Sequence, residues 1–206
     1  MTTEWQRFEI SLLFAGTSGN CYLTLNTIGT PTFEVWGAQV ELSDYPTSYI
    51  TTTTTSATRG RDELVLTFND NIPKINDDVT IIIDFDYIGI PDIGSYLWNV
   101  AGETSRYVFI SQSKNIFINH GATSNSFLGA SSDETLYRIG YVANGSLLTG
   151  FLDGDDKGSI TQETVVGTGT QISLGMLSAG ITHMYGHIRT FRIYNKALSK
   201  SQMRIA

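Results

Sequence analysis

From Glu63 onward, short runs of alternating apolar and polar residues succeed one another with only turn-length gaps between them. Such a chain has few ways to bury its apolar faces other than a sandwich of antiparallel sheets or a jelly roll. Leu64, Leu66 and Phe68 share one face, and Ile81, Ile83, Phe85 and Tyr87 share another, opposite Thr80, Ile82, Asp84 and Asp86. Strand patterns follow at residues 96–100, 106–110 and 116–119, the last two joined by a polar turn around Ser113 and Lys114. Residues 136–143 and 147–153 flank Asn144-Gly145, a dipeptide suited to a type I′ hairpin because both central residues need positive φ. Residues 160–166, 171–175 and 187–194 complete the series. The one credible helix is short. Ser199 and Gln202 stand in capping-box spacing, with Met203 next to them. Ile188, Phe191 and Ile193 break strict alternation by one residue, which predicts a β-bulge near Arg189.

The first fifty residues repeat the strand signal on a smaller scale. Phe8, Ile10, Leu12 and Phe14 alternate with less apolar neighbours, Cys21, Leu23 and Leu25 suggest a second strand, and residues 33–42 place Trp36, Ala38, Val40 and Leu42 on one side. Residues 51–62 are then rich in Thr and Ser and read as a linker into a larger domain at 63–206. Three short strands cannot bury their apolar faces alone. Residues 1–50 therefore pack on the larger domain, pair with another subunit, or belong to a longer parent chain. Phe8, Ile10, Leu12, Phe14 and Trp36 are the expected assembly surface.

Composition narrows the partners. Hydrophobic residues make up 41% and charged residues 16%, enough apolar material for a core and too little charge for a disordered chain. The net charge of −7, with no cluster of Lys or Arg, disfavours nucleic acid as a partner. Cys21 is the only cysteine, so no internal disulfide forms, as befits folding in a reducing cytoplasm. The first residues lack a basic-then-apolar signal pattern, and runs such as Ile81-Ile82-Ile83 are too short to span a bilayer.

Two stretches resemble known families. Tyr185-Gly186-His187-Ile188, Arg189-Thr190-Phe191-Arg192-Ile193-Tyr194-Asn195 and Lys196-Ala197-Leu198-Ser199 resemble the last strand and closing turn of concanavalin-A-like/laminin-G-like domains. Phe151-Leu152-Asp153-Gly154 and Ile172-Ser173-Leu174-Gly175 are similar to earlier strands of the same family. The resemblance implies an all-β antiparallel sandwich over 63–206. Ahead of it, Phe33-Glu34-Val35-Trp36-Gly37-Ala38-Gln39-Val40-Glu41, Pro46-Thr47-Ser48-Tyr49-Ile50 and Thr58-Arg59 resemble a segment of bacteriophage tail and minor structural proteins. There, part of a carbohydrate-binding-module-like jelly roll passes through a Thr-rich linker into a laminin-G-like domain. Thr51 stands where that pattern often has proline, and the first half of the module is missing. This second resemblance implies a non-enzymatic virion component of tail, fibre or capsid, made in the host cytoplasm. It also implies contact with other virion subunits, self-association, and binding of a host-surface glycan. A free-standing lectin is the alternative, with a glycoside hydrolase behind it.

Several residues merit weighing as sites. Asp84 and Asp86 lie on one strand face, but Ile82 and Ile88 occupy the flanking positions where hydrolases of this fold carry further acids, so a solvated face is expected and no catalytic residue is assigned. His183 and His187 have i, i+4 spacing, yet Met184 stands where a zinc helix needs Glu, and Gly186 opens a strand. Asp153, Asp155 and Asp156 form an acidic turn. Some laminin-G-like domains hold Ca²⁺ at such a rim, so Ca²⁺ is the one cofactor to consider, against a plain solvated hairpin tip. Asn144-Gly145-Ser146 matches a glycosylation acceptor, but the turn explains it. For glycan binding the first candidates are Tyr96, Trp98 and Tyr107, with Asn119 and His120 as polar neighbours, most large aromatics being expected in the core.

Overall fold

The computed structural model describes residues 4–10, 32, 34–41, 48–58, 62–68, 78–91, 93–101, 106–121, 125–145, 147–161, 169–177 and 182–204. The chain divides into two compact units, Met1–Gly60 and Arg61–Ala206. Among the described residues no helix is long and apolar enough to cross a membrane.

In the second unit the periodicity of two becomes two antiparallel sheets. Their strands are β1 (Leu64–Thr67), β2 (Asp78–Gly89), β3 (Ser95–Val100), β4 (Arg106–Ile110), β5 (Asn115–His120), β6 (Asn125–Ala130), β7 (Tyr137–Asn144), β8 (Leu147–Leu152), β9 (Asp155–Thr161), β10 (Gln171–Leu174) and β11 (Tyr185–Tyr194). One sheet has the order β1-β10-β3-β4-β5-β6 and the other β11-β2-β7-β8-β9. Between them lies a core that includes Ile81, Ile83, Phe85, Trp98, Val108, Ile116, Ile118, Tyr141 and Ile172, all buried. Alternation does most of this: away from the bulges each strand turns every second residue inward, and the inward set is mostly β-branched or aromatic, with leucines among them.

Turn chemistry sets the registers. Asp153 and Gly154, with φ of 52° and 83°, form the two-residue link between β8 and β9. Because that link is so tight, Asp155 and Asp156 already pair with Leu152 and Phe151 as strand residues, where the sequence suggested a longer acidic turn. At the β7–β8 hairpin Asn144 pairs with Leu147 as a strand residue, so the link begins at Gly145, one residue later than expected, with Gly145 at φ 55°. The expected bulge in β11 is present: Ile188 pairs with Phe85 and Thr190 with Asp84, which leaves Arg189 as the extra residue. Strand β6 was not anticipated. It pairs with β5 across a register shift that disrupts its alternation.

Helix α1 (Lys200–Met203) forms under the expected capping box, Ser199 accepting from Gln202 N–H while the Gln202 side chain accepts from Ser199 N–H. Leu198 and Met203 join Ile82, Val142 and Phe151 in a second apolar cluster on the outer side of the five-stranded sheet. Thr80 fastens the approach: its hydroxyl donates to the Lys196 carbonyl and accepts from Leu198 N–H, both at 2.9 Å.

The first unit departs from expectation. Its described residues 4–10 and 34–41 carry no strand. A lone extended segment has no ladder to satisfy its backbone groups, and the apolar side chains gain no burial from alternation alone. Phe8 is 83% exposed, Ile10 74% and Trp36 72%. Leu12 and Phe14 lie outside the described residues, as does Cys21. Order here is local. The Trp36 ring lies 4.9 Å from that of Tyr49, beside Gly37 at φ 70°, and Ile50 N–H donates to Gln39 Oε1 at 2.8 Å.

Candidate glycan-binding face

The outer side of the six-stranded sheet carries a row of aromatic rings. Register pairs Tyr96 with Phe109, Phe109 with Phe117, and Phe117 with Phe127, so β3, β4, β5 and β6 each contribute one ring to the row. Paired residues of antiparallel strands share a face. Ring centroids are 4.9 Å apart for Tyr96 and Phe109 and 5.8 Å for Phe117 and Phe127. Tyr107, two residues before Phe109, stands edge-on to Tyr96 at 5.4 Å. Three inter-strand steps of about 4.8 Å give the row a span of roughly 14 Å.

A polar row runs parallel to it. Ser173 pairs with Asn99, Asn99 with Tyr107, and Tyr107 with Asn119. Asn119 Nδ2 donates to the Tyr107 hydroxyl at 3.5 Å, which fixes both on the same side. Asn99 and Ser173 are buried, and Asn99 Oδ1 and Ser173 Oγ have no hydrogen-bond partner among the described residues. Leaving such atoms unsatisfied costs about 1–3 kcal/mol each.

Among the described residues no Asp, Glu, Lys or Arg occupies an outward strand position on this face: those positions include Val65, Thr67, Gln171, Ser173, Tyr96, Asn99, Tyr107, Phe109, Asn115, Phe117, Asn119 and Phe127. Burial pushes the Tyr96 phenol above its ordinary pKa, with neighbouring Tyr107 adding to the effect, so that ring stays neutral at physiological pH.

Of the five residues expected to bind glycan, three meet here and two do not. Tyr96, Tyr107 and Asn119 lie on the face. Trp98 is wholly buried, pairs with Val108 and stands edge-on to Tyr141 of the opposite sheet at 5.0 Å. Tyr96 and Trp98 would share a face on a regular strand, but Leu97 bulges between them and sends Trp98 inward. His120 also points inward, its Nδ1 hydrogen-bonded to the Tyr141 hydroxyl, because it follows the outward Asn119. Sequence reading missed Phe109, Phe117 and Phe127. Their signal was that strands 106–110 and 116–119 are apolar on both faces, which an antiparallel sheet with one solvated face does not need.

The remaining candidates resolve differently. Asp84 is not a solvated carboxylate: Arg138 donates to it from Nε at 2.6 Å and Nη2 at 2.9 Å, and the Thr190 hydroxyl donates at 2.6 Å. The Arg138 hydrogen bonds hold the Asp84 pKa below its ordinary value, burial opposing them. Asp86 accepts from Arg189 Nη2 at 2.9 Å, and His187 Nδ1 lies 3.2 Å from its other oxygen. The acidic turn does not gather into a calcium cage. Asp153 Oδ1 accepts from Arg138 N–H, while Asp155 faces Lys157 at 3.5 Å and Asp156 faces Lys200 at 3.2 Å. The Gly158 N–H and Lys200 hold the Asp156 pKa down. Among the described residues no group of three His, Cys, Asp or Glu side chains is placed to hold a metal.

No protein-family model matches this sequence, and no curated protein does. Solved structures do match in fold. Domain 4 of an extracellular arabinanase from Geobacillus stearothermophilus, in complex with arabinotriose, aligns at TM-score 0.52 and 12% identity over 63% of this chain and 66% of that one. The heptameric SAP-like pentraxin of Limulus polyphemus aligns at 0.50 and 13% over 72% and 82%. The Trypanosoma rangeli sialidase aligns at 0.52 and 14%, with the match spanning 62% of this chain but only 22% of the sialidase. At such identities the likeness is one of fold alone: a two-sheet antiparallel β-sandwich. None of these three is a phage protein.

Proposed function

We propose that the Arg61–Ala206 unit is a non-enzymatic carbohydrate-binding module that takes a neutral glycan across the outer face of its six-stranded sheet. The uncharged row Tyr96–Phe109–Phe117–Phe127 carries this reading. Aromatic faces stack on the C–H faces of sugar rings, and the adjoining Tyr107, half-buried, brings a hydroxyl to the row's flank. A chain of net charge −7, with no cation at the described strand positions of the face, disfavours anionic glycans. A hydrolase would need a carboxylate pair in the groove, with about 5–5.5 Å separation for retention. Here Asp84 and Asp86 sit on the other sheet, tied to arginines. The arabinanase domain bound to arabinotriose supports a sugar ligand for a sandwich of this kind. Affinity electrophoresis and calorimetry against neutral polysaccharides test the proposal. At least one is expected to bind wild type and to be lost in the Phe117→Ala/Phe127→Ala variant, and a flat panel would sink it.

A second role belongs to the first unit in this reading. Phe8, Ile10 and Trp36 are large, apolar and exposed, the signature of a surface awaiting a partner. With the phage-like segment around Trp36, this favours subunit contact within a virion, through self-association or with other structural subunits. Light scattering on the full chain is expected to show a concentration-dependent oligomer that Trp36→Ser weakens. A strict monomer at all concentrations counts against it.

A further inference from the structure

Among the described residues the two sheets end in the edge strands β1, β6, β9 and β11, and three of these carry features that deter further pairing. Strand β9 holds Asp155, Asp156 and Lys157 and reaches φ 100° at Gly158. Strand β11 has the bulge at Arg189, with the His187 and Arg189 side chains exposed. Strand β6 pairs across a register shift. Charges, bulges and broken registers keep a strand edge from recruiting another strand. β1 reads Leu64-Val65-Leu66-Thr67 and has none of them. Among the described residues it pairs with β10 alone, so its other side offers backbone N–H and C=O groups to a new neighbour.

Beneath that open edge lies a cleft between the sheets. Leu64 and Leu66 pair with Leu174 and Ile172 of the core, so they face the opposite sheet. Leu64 is nevertheless 54% exposed, because the cleft between β1 and β11 opens beside it. The cleft has a volume of about 440 Å³, and Leu64, Ile93, Leu174, Met184 and Ile188 give it an apolar lining. A strand laid beside β1 stands about 4.8 Å beyond it and turns every second side chain into this space. The fitting occupant is an extended segment with apolar residues at alternate positions. A small apolar molecule would fill the cleft and leave the ladder open.

The chain itself carries such a segment. Phe8 and Ile10 alternate with Arg7 and Glu9, and the pattern continues in sequence to Leu12 and Phe14. Residues 4–10 form no strand, and Phe8 and Ile10 are exposed. The segment has side chains to bury and no ladder, while the edge has a ladder and an apolar cleft. We infer that the Phe8–Ile10 segment of a second copy adds to β1 as the next strand of its sheet, Phe8 and Ile10 turned into the cleft, and that the exchange is reciprocal. The inference rests on the self-association reading of the first unit and names where on the partner copy that unit docks. Reciprocity sets the size. An aromatic side chain alone buries about 150–250 Å², so two such strands with the walls they cover reach the order of 1,000 Å² that a specific interface needs.

Analytical ultracentrifugation of the full chain tests this with two variants at exposed positions, Leu64→Lys at the cleft mouth and Ile10→Lys in the segment. Each should keep the wild-type melting temperature and raise the dimer Kd about tenfold or more. Mixed in equal amounts, they should recover an association that neither shows alone. The Leu64→Lys copy still has its segment, and the Ile10→Lys copy still has its cleft. In wild type, hydrogen exchange should slow with rising concentration at those amides of Leu64–Thr67 that face away from β10. No recovery in the mixture, exchange indifferent to concentration, or a Kd unmoved by Leu64→Lys overturns the inference. Association that is lost in Trp36→Ser but indifferent to Leu64→Lys leaves the self-association reading and removes this docking site. A strict monomer removes both.

Discussion

The two outer faces of this sandwich start from the same material and end in opposite states. On the five-stranded sheet, the outward residues of β2 are Thr80, Ile82, Asp84 and Asp86, and each is engaged. Thr80 anchors the chain before α1, Ile82 lies under Leu198 and Met203, and the two aspartates are paired with Arg138 and Arg189. On the six-stranded sheet the outward residues are rings and amides with no helix over them among the described residues; Asn99, Ser173 and Asn119 are buried, while Phe127 remains 53% exposed. A sheet face covered by its own chain is structural. Phe127, apolar, uncharged and exposed, forgoes burial it could have had, a cost that the proposed glycan binding would offset.

Substitutions on opposite sides of β3 sharpen the contrast most. Trp98→Ala empties a fully buried site and is expected to cost about 3–5 kcal/mol in denaturant unfolding, enough to leave a small domain marginal. Tyr96→Ala, two residues away, should cost less stability and register chiefly in glycan affinity. Equal stability losses at the two positions would mean that the bulge at Leu97 does not separate them. Next in size is the cover of the other face. Met203→Ala removes a buried side chain that fills the space over Gly140 and should cost about 2 kcal/mol, without changing glycan affinity. A loss of affinity there would show that the faces are coupled.

Phe127→Ala is the intermediate case and the most diagnostic. At an exposed position its effect on stability should stay within about 0.5 kcal/mol. Its effect on neutral-polysaccharide affinity should be about tenfold, since a stacking ring is worth on the order of 1 kcal/mol or more. Unchanged affinity would move the binding face elsewhere.

Much of this contrast was legible beforehand, and its gaps have physical causes. The capping box at Ser199, the bulge at Arg189 and the inward set of β2 follow from spacing alone. What spacing cannot carry is a bulge with no sequence mark. Leu97 looks like any strand residue, yet it reverses the parity of β3, so Tyr96 and Trp98 look alike in sequence and part company in space. Strand β6 is hidden for the same reason, its alternation interrupted where Phe117 meets Phe127 and Ile116 meets Gly129. Asn119 and His120 were separable by alternation itself, which puts neighbours on opposite faces. The row Phe109–Phe117–Phe127 was hardest to see, because it exists only once four strands are set in register.

The smallest expected effect concerns the ion pair that keeps the five-stranded face engaged. Asp84 ionises below its ordinary pKa of 3.8 because Arg138 and Thr190 bond its charged form. A carboxylate with a depressed folded-state pKa contributes stability that is fully present above the unfolded value, about 3.8, and disappears as pH falls through the lower folded value. Asp84 is only 13% exposed, but the Arg138 side chain is 41% exposed, so water screens the pair and its worth is about 1 kcal/mol or less. Asp84→Asn should therefore lower stability slightly near neutral pH and not at all at the acid end. Its stability should also fall less steeply than wild type below about pH 4. Unfolding curves across that range decide it. Parallel acid limbs would show that the pair contributes nothing and that α1 and its apolar cluster alone hold this face closed.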